Sequence, residues 1–155
     1  VCISGFVSSQ SHKQALGGDT PAERILASLE LAREISRLGA TVGVCIAPAT
    51  PALAIQTLIG SGLVEMVNVL GVEPGRGGQS FQHSVLDKVA ELRREHPKLR
   101  YIAVDGGVNT HTAQLAAAAG ANVLIAGSSL LGTRGLEAFS EAFESIEGAL
   151  LKYGE

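Results

Sequence analysis

The residues able to do chemistry fall in three short stretches, each directly after an apolar run. The first is Val72-Glu73-Pro74-Gly75-Arg76-Gly77-Gly78-Gln79. Its three glycines let main-chain N–H groups face an anion, but it lacks the Lys-Ser/Thr pair of a P-loop and the spacing of a dinucleotide fingerprint. The second is Val104-Asp105-Gly106-Gly107-Val108-Asn109. It sets a carboxylate at a strand end and follows it with glycines that leave room for a substrate against the backbone. The third, Ala126-Gly127-Ser128-Ser129, can open a short helix, and helix N-termini attract phosphate. Alone, each has a plainer reading as a glycine turn, a turn-capping Asp or an ordinary loop. After successive strands of one parallel sheet, all three converge on a single rim.

The chain supplies such strands. Apolar runs at Val1 to Val7, Thr41 to Ala47, Met66 to Val72, Arg100 to Val104 and Asn122 to Ala126 alternate with amphipathic segments. Runs such as Val42-Gly43-Val44-Cys45-Ile46 are continuously apolar, which suits parallel strands covered on both faces. Thr20-Pro21-Ala22-Glu23 has the form of a capping box, with a helix to about Leu38 stopped by Gly39. Thr50-Pro51 caps a helix ending near Gly60 to Gly62. Further helices run from about Ser84 to Glu95, from an Asn109 or Thr110 cap to Gly120, and from Leu136 to Tyr153. The pattern predicts an α/β fold of about five βα units with a parallel sheet, a partial (β/α)8 TIM barrel in one domain. A full barrel needs about 250 residues, so about three units are expected to be missing, leaving the outer strands unpaired. Val1 in place of Met fits a truncated or processed start.

With 155 residues, 46% of them hydrophobic and 17% charged, the chain has much to bury and little polar surface. A net charge of -3 argues against nucleic acid as a partner, and no apolar run is long enough to span a bilayer. Cys2 and Cys45 read as buried, reduced core cysteines. His12, His83, His96 and His111 read as solvated loop or flank residues without ligand spacing. Lys13, Arg24, Arg33, Arg37, Arg93 and Arg94 read as exposed helical flanks.

At Val72 to Phe81, Val104 to Gly107 and Ala121 to Ser128 the chain resembles the ribulose-phosphate 3-epimerase family, read from that family's fourth strand onward. The resemblance implies a (β/α)8 barrel that inverts C3 of D-ribulose 5-phosphate to give D-xylulose 5-phosphate in the pentose phosphate pathway. It implies two aspartates as acid and base and a divalent metal cation, zinc or iron. By position, Asp105 matches the later aspartate, both acid/base and metal ligand. Gly75, Gly77, Gly78, Gly106, Gly107, Gly127 and Ser128 match the phosphate cradle and its neighbours. The other aspartate and two metal-binding histidines of the family fall before Val1, so Asp105 alone is not expected to hold a metal tightly or to turn over substrate. Departures are Arg76 where the family has Phe, Leu70 where a Met is common, and Ala47-Pro48-Ala49-Thr50-Pro51 for Lys-Pro-Gly-Thr-Pro. The His often found on the fourth strand is replaced near Phe6. Arg76 is expected to reach the phosphate with paired donors. The expected partner is a ketose phosphate, with association into homo-oligomers common in the family. The compartment is expected to be cytoplasmic, with a plastid left open. Two other functions remain: epimerisation of a hexulose 6-phosphate, or sugar-phosphate binding by a non-catalytic fragment or degenerate paralogue.

Overall fold

The computed structural model describes residues 5–6, 20–75 and 78–153. Five parallel strands lie in sequential order: β1 (Gly5–Phe6), β2 (Val42–Ile46), β3 (Val64–Leu70), β4 (Tyr101–Asp105) and β5 (Val123–Ile125). The helices between and after them are α1 (Pro21–Arg37), α2 (Gln56–Gly60), α3 (Val85–Glu95), α4 (Thr110–Ala118), α5 (Ser128–Leu131) and α6 (Leu136–Tyr153). Sequential parallel order requires each connection to cross back over the sheet, which the helices do. This is the α/β, partial-barrel arrangement that the alternation predicts. None of the described helices is long and apolar enough to cross a membrane.

Helix α1 starts as the sequence predicts. Thr20 Oγ1 accepts the Glu23 N–H at 3.2 Å, and Glu23 Oε2 accepts the Thr20 N–H at 2.9 Å, closing a capping box. Gly39, at φ +78°, ends the helix where an L side chain would be strained. The second helix departs from expectation. Its first turn is a 3-10 segment, Ala52–Ile55, capped by Pro51 without a side-chain hydrogen bond, and only then does α2 begin. Ile55, at φ -115° and ψ 3°, falls outside the α region and separates the two pieces.

Strand boundaries also move, β2 losing one residue at each end of the predicted Thr41 to Ala47. β3 begins and ends two residues before the predicted Met66 to Val72, with the Gly71 N–H making the last bond across to β4. β4 begins one residue late and takes in Asp105 as its last residue. β5 starts after Asn122, whose N–H donates to the Ile102 carbonyl at 3.0 Å and whose side chain adds two further bonds. Asn122 Oδ1 accepts the Ile102 N–H at 2.8 Å, and its amide nitrogen donates to the Arg100 carbonyl at 2.7 Å.

Alternation along the strands divides the sheet into two faces. Val44, Ile46, Val67, Val69, Ile102 and Val104 point to the helices and join Val85, Val89, Leu92, Ala113 and Ala116 in one core. The opposite face carries Cys45, Asn68, Ala103 and Val123 in one register layer, with Leu70, Asp105 and Ile125 in the next. Ile125, at 42% exposed, shows that this second face is partly uncovered at its β5 edge. α6 buries Ile146 and Ala149 but leaves Leu136, Phe143 and Leu151 exposed.

Arg93 corrects the reading of an exposed flank. It is half-buried, with Nε donating to the Gly120 carbonyl at 3.1 Å and Nη1 to the Leu99 carbonyl at 2.7 Å. Its guanidinium thereby ties α3 to the turns before β4 and β5, and its burial lowers its pKa. Arg33 and Arg37 are exposed, and Arg24 is half-buried. Cys45 is buried as expected; Cys2, His12 and Lys13 lie outside the described residues.

Candidate active site

In a parallel sheet every strand delivers its C-terminal end to the same edge. Leu70 of β3 pairs with Asp105 of β4, and Asp105 pairs with Ile125 of β5. The three glycine-bearing turns therefore leave the sheet side by side, as the sequence pattern requires.

The turns are locked to one another. Gly71 donates its N–H to the Asp105 carbonyl at 2.6 Å, and its own carbonyl accepts from Gln82 at 2.8 Å. No β-carbon fits at Gly71, where the Gly106 carbonyl and the Phe81 ring crowd the position. Gly106 and Gly107 take φ of +96° and +69°. A β-carbon on Gly107 would lie 3.0 Å from Phe81 Cα and 3.1 Å from its nitrogen. The turn after β4 ends in a second capping box: Asn109 Oδ1 accepts N–H groups from His111 at 2.9 Å and Thr112 at 3.0 Å. Thr112 Oγ1 in turn donates to the Gly107 carbonyl at 2.9 Å. Ser129 Oγ donates to the Val108 carbonyl at 2.6 Å, which fastens the turn after β5 to the turn after β4.

Asp105 is half-buried at the centre of this edge, on the face away from the helices. In the turns after β3 and β5, Gly75, Gly78, Gly127 and Ser128 are exposed. A β-carbon built on Gly75, Gly78 or Gly127 would meet nothing within 4 Å. Their backbone faces open space, which a ligand can occupy. Arg76 and Gly77 lie outside the described residues. Gln79 Nε2 donates to the Glu73 carbonyl at 2.6 Å, folding the glycine loop back on itself. The arrangement sets one carboxylate among main-chain groups with room for an anion. That suits proton transfer on a substrate held by a charged tail.

The same residues do not make a metal centre by themselves. Among the described residues no three His, Cys, Asp or Glu side chains come together as a ligand set. Zinc and iron sites need several such donors, and Asp105 is a single carboxylate. His83 and His111 are exposed, His83 with its ring edge-on to Phe81 at 5.4 Å, and His96 is half-buried.

Two side chains near the rim escaped the sequence reading. Asn68 sits on the inner face of β3, its amide nitrogen 3.7 Å from Cys45 Sγ. Its Oδ1 is buried and has no hydrogen-bond partner among the described residues. The available signal was a single polar residue inside Val67-Asn68-Val69. Lys88, in the second turn of α3, donates to the Ala47 carbonyl at 3.0 Å and the Pro48 carbonyl at 2.8 Å. In sequence it is one more charge on an amphipathic helix.

Residues 20–131 match the model of the ribulose-phosphate 3 epimerase family. The chain is 41% identical over 122 residues to the cytoplasmic isoform of ribulose-phosphate 3-epimerase from Oryza sativa subsp. japonica, covering 77% of this chain and 53% of that protein. It is 38% identical over 119 residues to the chloroplastic ribulose-5-phosphate-3-epimerase of Arabidopsis thaliana, covering 75% and 41%. With ribulose-phosphate 3-epimerase of Bacillus subtilis it shares 42% over 102 residues, covering 63% and 46%. The chain spans about half the length of the curated relatives it matches.

Proposed function

This chain belongs to the ribulose-phosphate 3-epimerase family, and on that premise we propose that the protein interconverts D-ribulose 5-phosphate and D-xylulose 5-phosphate by proton transfer at C3. The observation that carries the proposal is the position of Asp105, a strand-end carboxylate flanked by three glycine-bearing turns on one edge of the sheet.

In this reading the carbonyl at C2 acidifies the C3 proton, and a carboxylate removes it from one face of the carbon. The electron pair moves onto the C2 oxygen to give an enediolate. Return of a proton on the opposite face inverts C3, so two acid/base groups are needed. Asp105 is one of them, and none of the described residues is assigned as the other. The main-chain groups of Gly75, Gly78, Gly106, Gly107, Gly127 and Ser128, with Arg76 and Gly77 beside them, take the phosphate at the far end of the substrate. The family uses a divalent metal; we assign Asp105 as one ligand to a zinc or iron ion, the other donors lying beyond the described residues.

We place about three further βα units before Val1, supplying the second carboxylate and those donors. Support comes from the greater length of the relatives, the partly open inner face at Ile125 and the uncovered apolar side chains of α6. We place the complete protein in the cytoplasm; its relatives include both cytoplasmic and chloroplastic forms. Association into a homo-oligomer belongs to the same proposal. The departures from the family's motifs, Arg76 and Ala47-Pro48-Ala49 among them, favour one alternative, a sugar-phosphate-binding relative without turnover.

A coupled assay on the gene product, with and without chelator, separates these readings. Turnover of ribulose 5-phosphate well above that of a hexulose 6-phosphate supports the proposal. Preference for the hexulose, or phosphate-sugar binding with no turnover, rejects it.

A further inference from the structure

We propose that Lys88 is a positioning residue that sets the separation of two neighbouring walls of the rim, the turn after β2 and the glycine loop after β3. The proposal rests on the reading of that rim as the mouth of the active site.

The turn after β2 is poorly held by its own backbone. Ala47-Pro48-Ala49-Thr50-Pro51 has two prolines, which offer no N–H. The Thr50 N–H reaches the Ala47 carbonyl at 3.0 Å. The other acceptor site of that carbonyl, and the Pro48 carbonyl, are filled from outside the turn by Lys88. Those bonds span 41 and 40 residues of sequence, so they fix tertiary position rather than local shape.

The helix that carries Lys88 is itself tied to the second wall: Gln82, three residues before α3, donates its N–H to the Gly71 carbonyl at 2.8 Å, and Glu73 in the same loop adds a longer-range attraction to the ammonium group. Glu73 is held in turn by Gln82, whose Nε2 is 3.4 Å from Glu73 Oε1, and its carbonyl accepts from Gln79 at 2.6 Å. The side chain is half-buried and leaves a helix whose Val85, Val89 and Leu92 are in the core. Its root is therefore rigid. A flexible cation on a fixed stem, with two donors spent on main-chain carbonyls, acts as a strut between wall and wall. It reaches no reacting atom itself.

The test uses the gene product with Lys88→Met, Lys88→Gln and Lys88→Arg. Hydrogen exchange without ligand is read alongside the kinetics with ribulose 5-phosphate. Lys88→Met and Lys88→Gln are expected to speed exchange at least tenfold in the non-proline amides of 47–54 while β3 and β4 stay at the wild-type rate. They are expected to raise KM about tenfold with kcat within about threefold, and Lys88→Arg is expected to recover most of both. A general destabilising effect would instead speed exchange across the whole sheet. Unchanged exchange in 47–54 for both Met and Gln variants, or acceleration spread evenly through β3 and β4, overturns the proposal. A wild-type protein inactive on ribulose 5-phosphate would reject the enzymatic reading, while the exchange data would still decide for or against the strut.

Discussion

Asp105 and Leu70 are register partners at the C-terminal ends of adjacent parallel strands. The next residue after Leu70, Gly71, donates its N–H to the Asp105 carbonyl at 2.6 Å. The backbone of the carboxylate is thus held by the strand that launches the glycine loop. A displacement of either turn moves both, so the proposed proton-transfer group and the proposed phosphate cradle share one frame.

Gly107→Ala tests that frame. A left-handed φ costs an L residue about 1–2 kcal/mol, and at Gly107 a β-carbon would also press on Phe81 backbone atoms at 3.0 and 3.1 Å. Gly39, at φ +78° with nothing within 4 Å, carries the conformational cost alone. Denaturant unfolding is expected to show a loss of about 1 kcal/mol for Gly39→Ala and at least about twice that for Gly107→Ala. Equal losses would mean that Phe81 moves freely.

Asn109→Ala removes one acceptor that serves two N–H groups at the start of α4. The expected loss is about 1–2 kcal/mol by the same measurement, with Asn109→Ser restoring most of it. A loss under about 0.5 kcal/mol would show that the turn after β4 is held by Thr112 and Ser129 without the cap.

Asn68→Leu goes the other way. Its Oδ1 is buried with no partner among the described residues, and an unmet buried acceptor costs about 1–3 kcal/mol. Leu has a similar branched shape and removes the polar atoms. Stability is expected to hold or rise by up to about 1 kcal/mol. A clear drop would reveal a hydrogen bond to Oδ1 that matters.

Lys88 predicts a pH dependence. Burial lowers its pKa, against the pull of Glu73 and Glu91. In the alkaline window between the lowered folded value and the ordinary lysine value, the unfolded chain binds more protons than the folded one. Stability contributed by this group therefore rises with pH through that window and is flat below it. The stability difference between wild type and Lys88→Met is expected to shift in the wild type's favour across that window. A pH-independent difference would contradict the shift.

Much of this was legible in the sequence because its signals are local. Thr20 with Glu23 reads as a reciprocal cap and forms, and Asn109, one of two candidate caps for α4, is the one the structure uses. Leu136 to Tyr153 forms one helix with the predicted ends. The adjacency of the three turns follows from parallel connectivity alone. What the sequence concealed is tertiary. Position 71 takes glycine because the Gly106 carbonyl and Phe81 occupy the space a side chain would need. Arg93 and Lys88 look like solvated helical charges until their carbonyl partners, distant in sequence, are in place. Asn122 is a strand residue by composition, yet its side chain adds bonds to the Ile102 N–H and the Arg100 carbonyl that no local pattern announces.

The most direct test follows solvent deuterium into C3 of ribulose 5-phosphate by NMR, comparing the wild-type gene product with Asp105→Asn. Wild type is expected to incorporate deuterium while forming xylulose 5-phosphate. Asp105→Asn is expected to lose about 10³-fold in both rates, with its melting temperature near that of wild type. Full-rate exchange and epimerisation in a folded Asp105→Asn protein would contradict the assignment of the proton to this carboxylate.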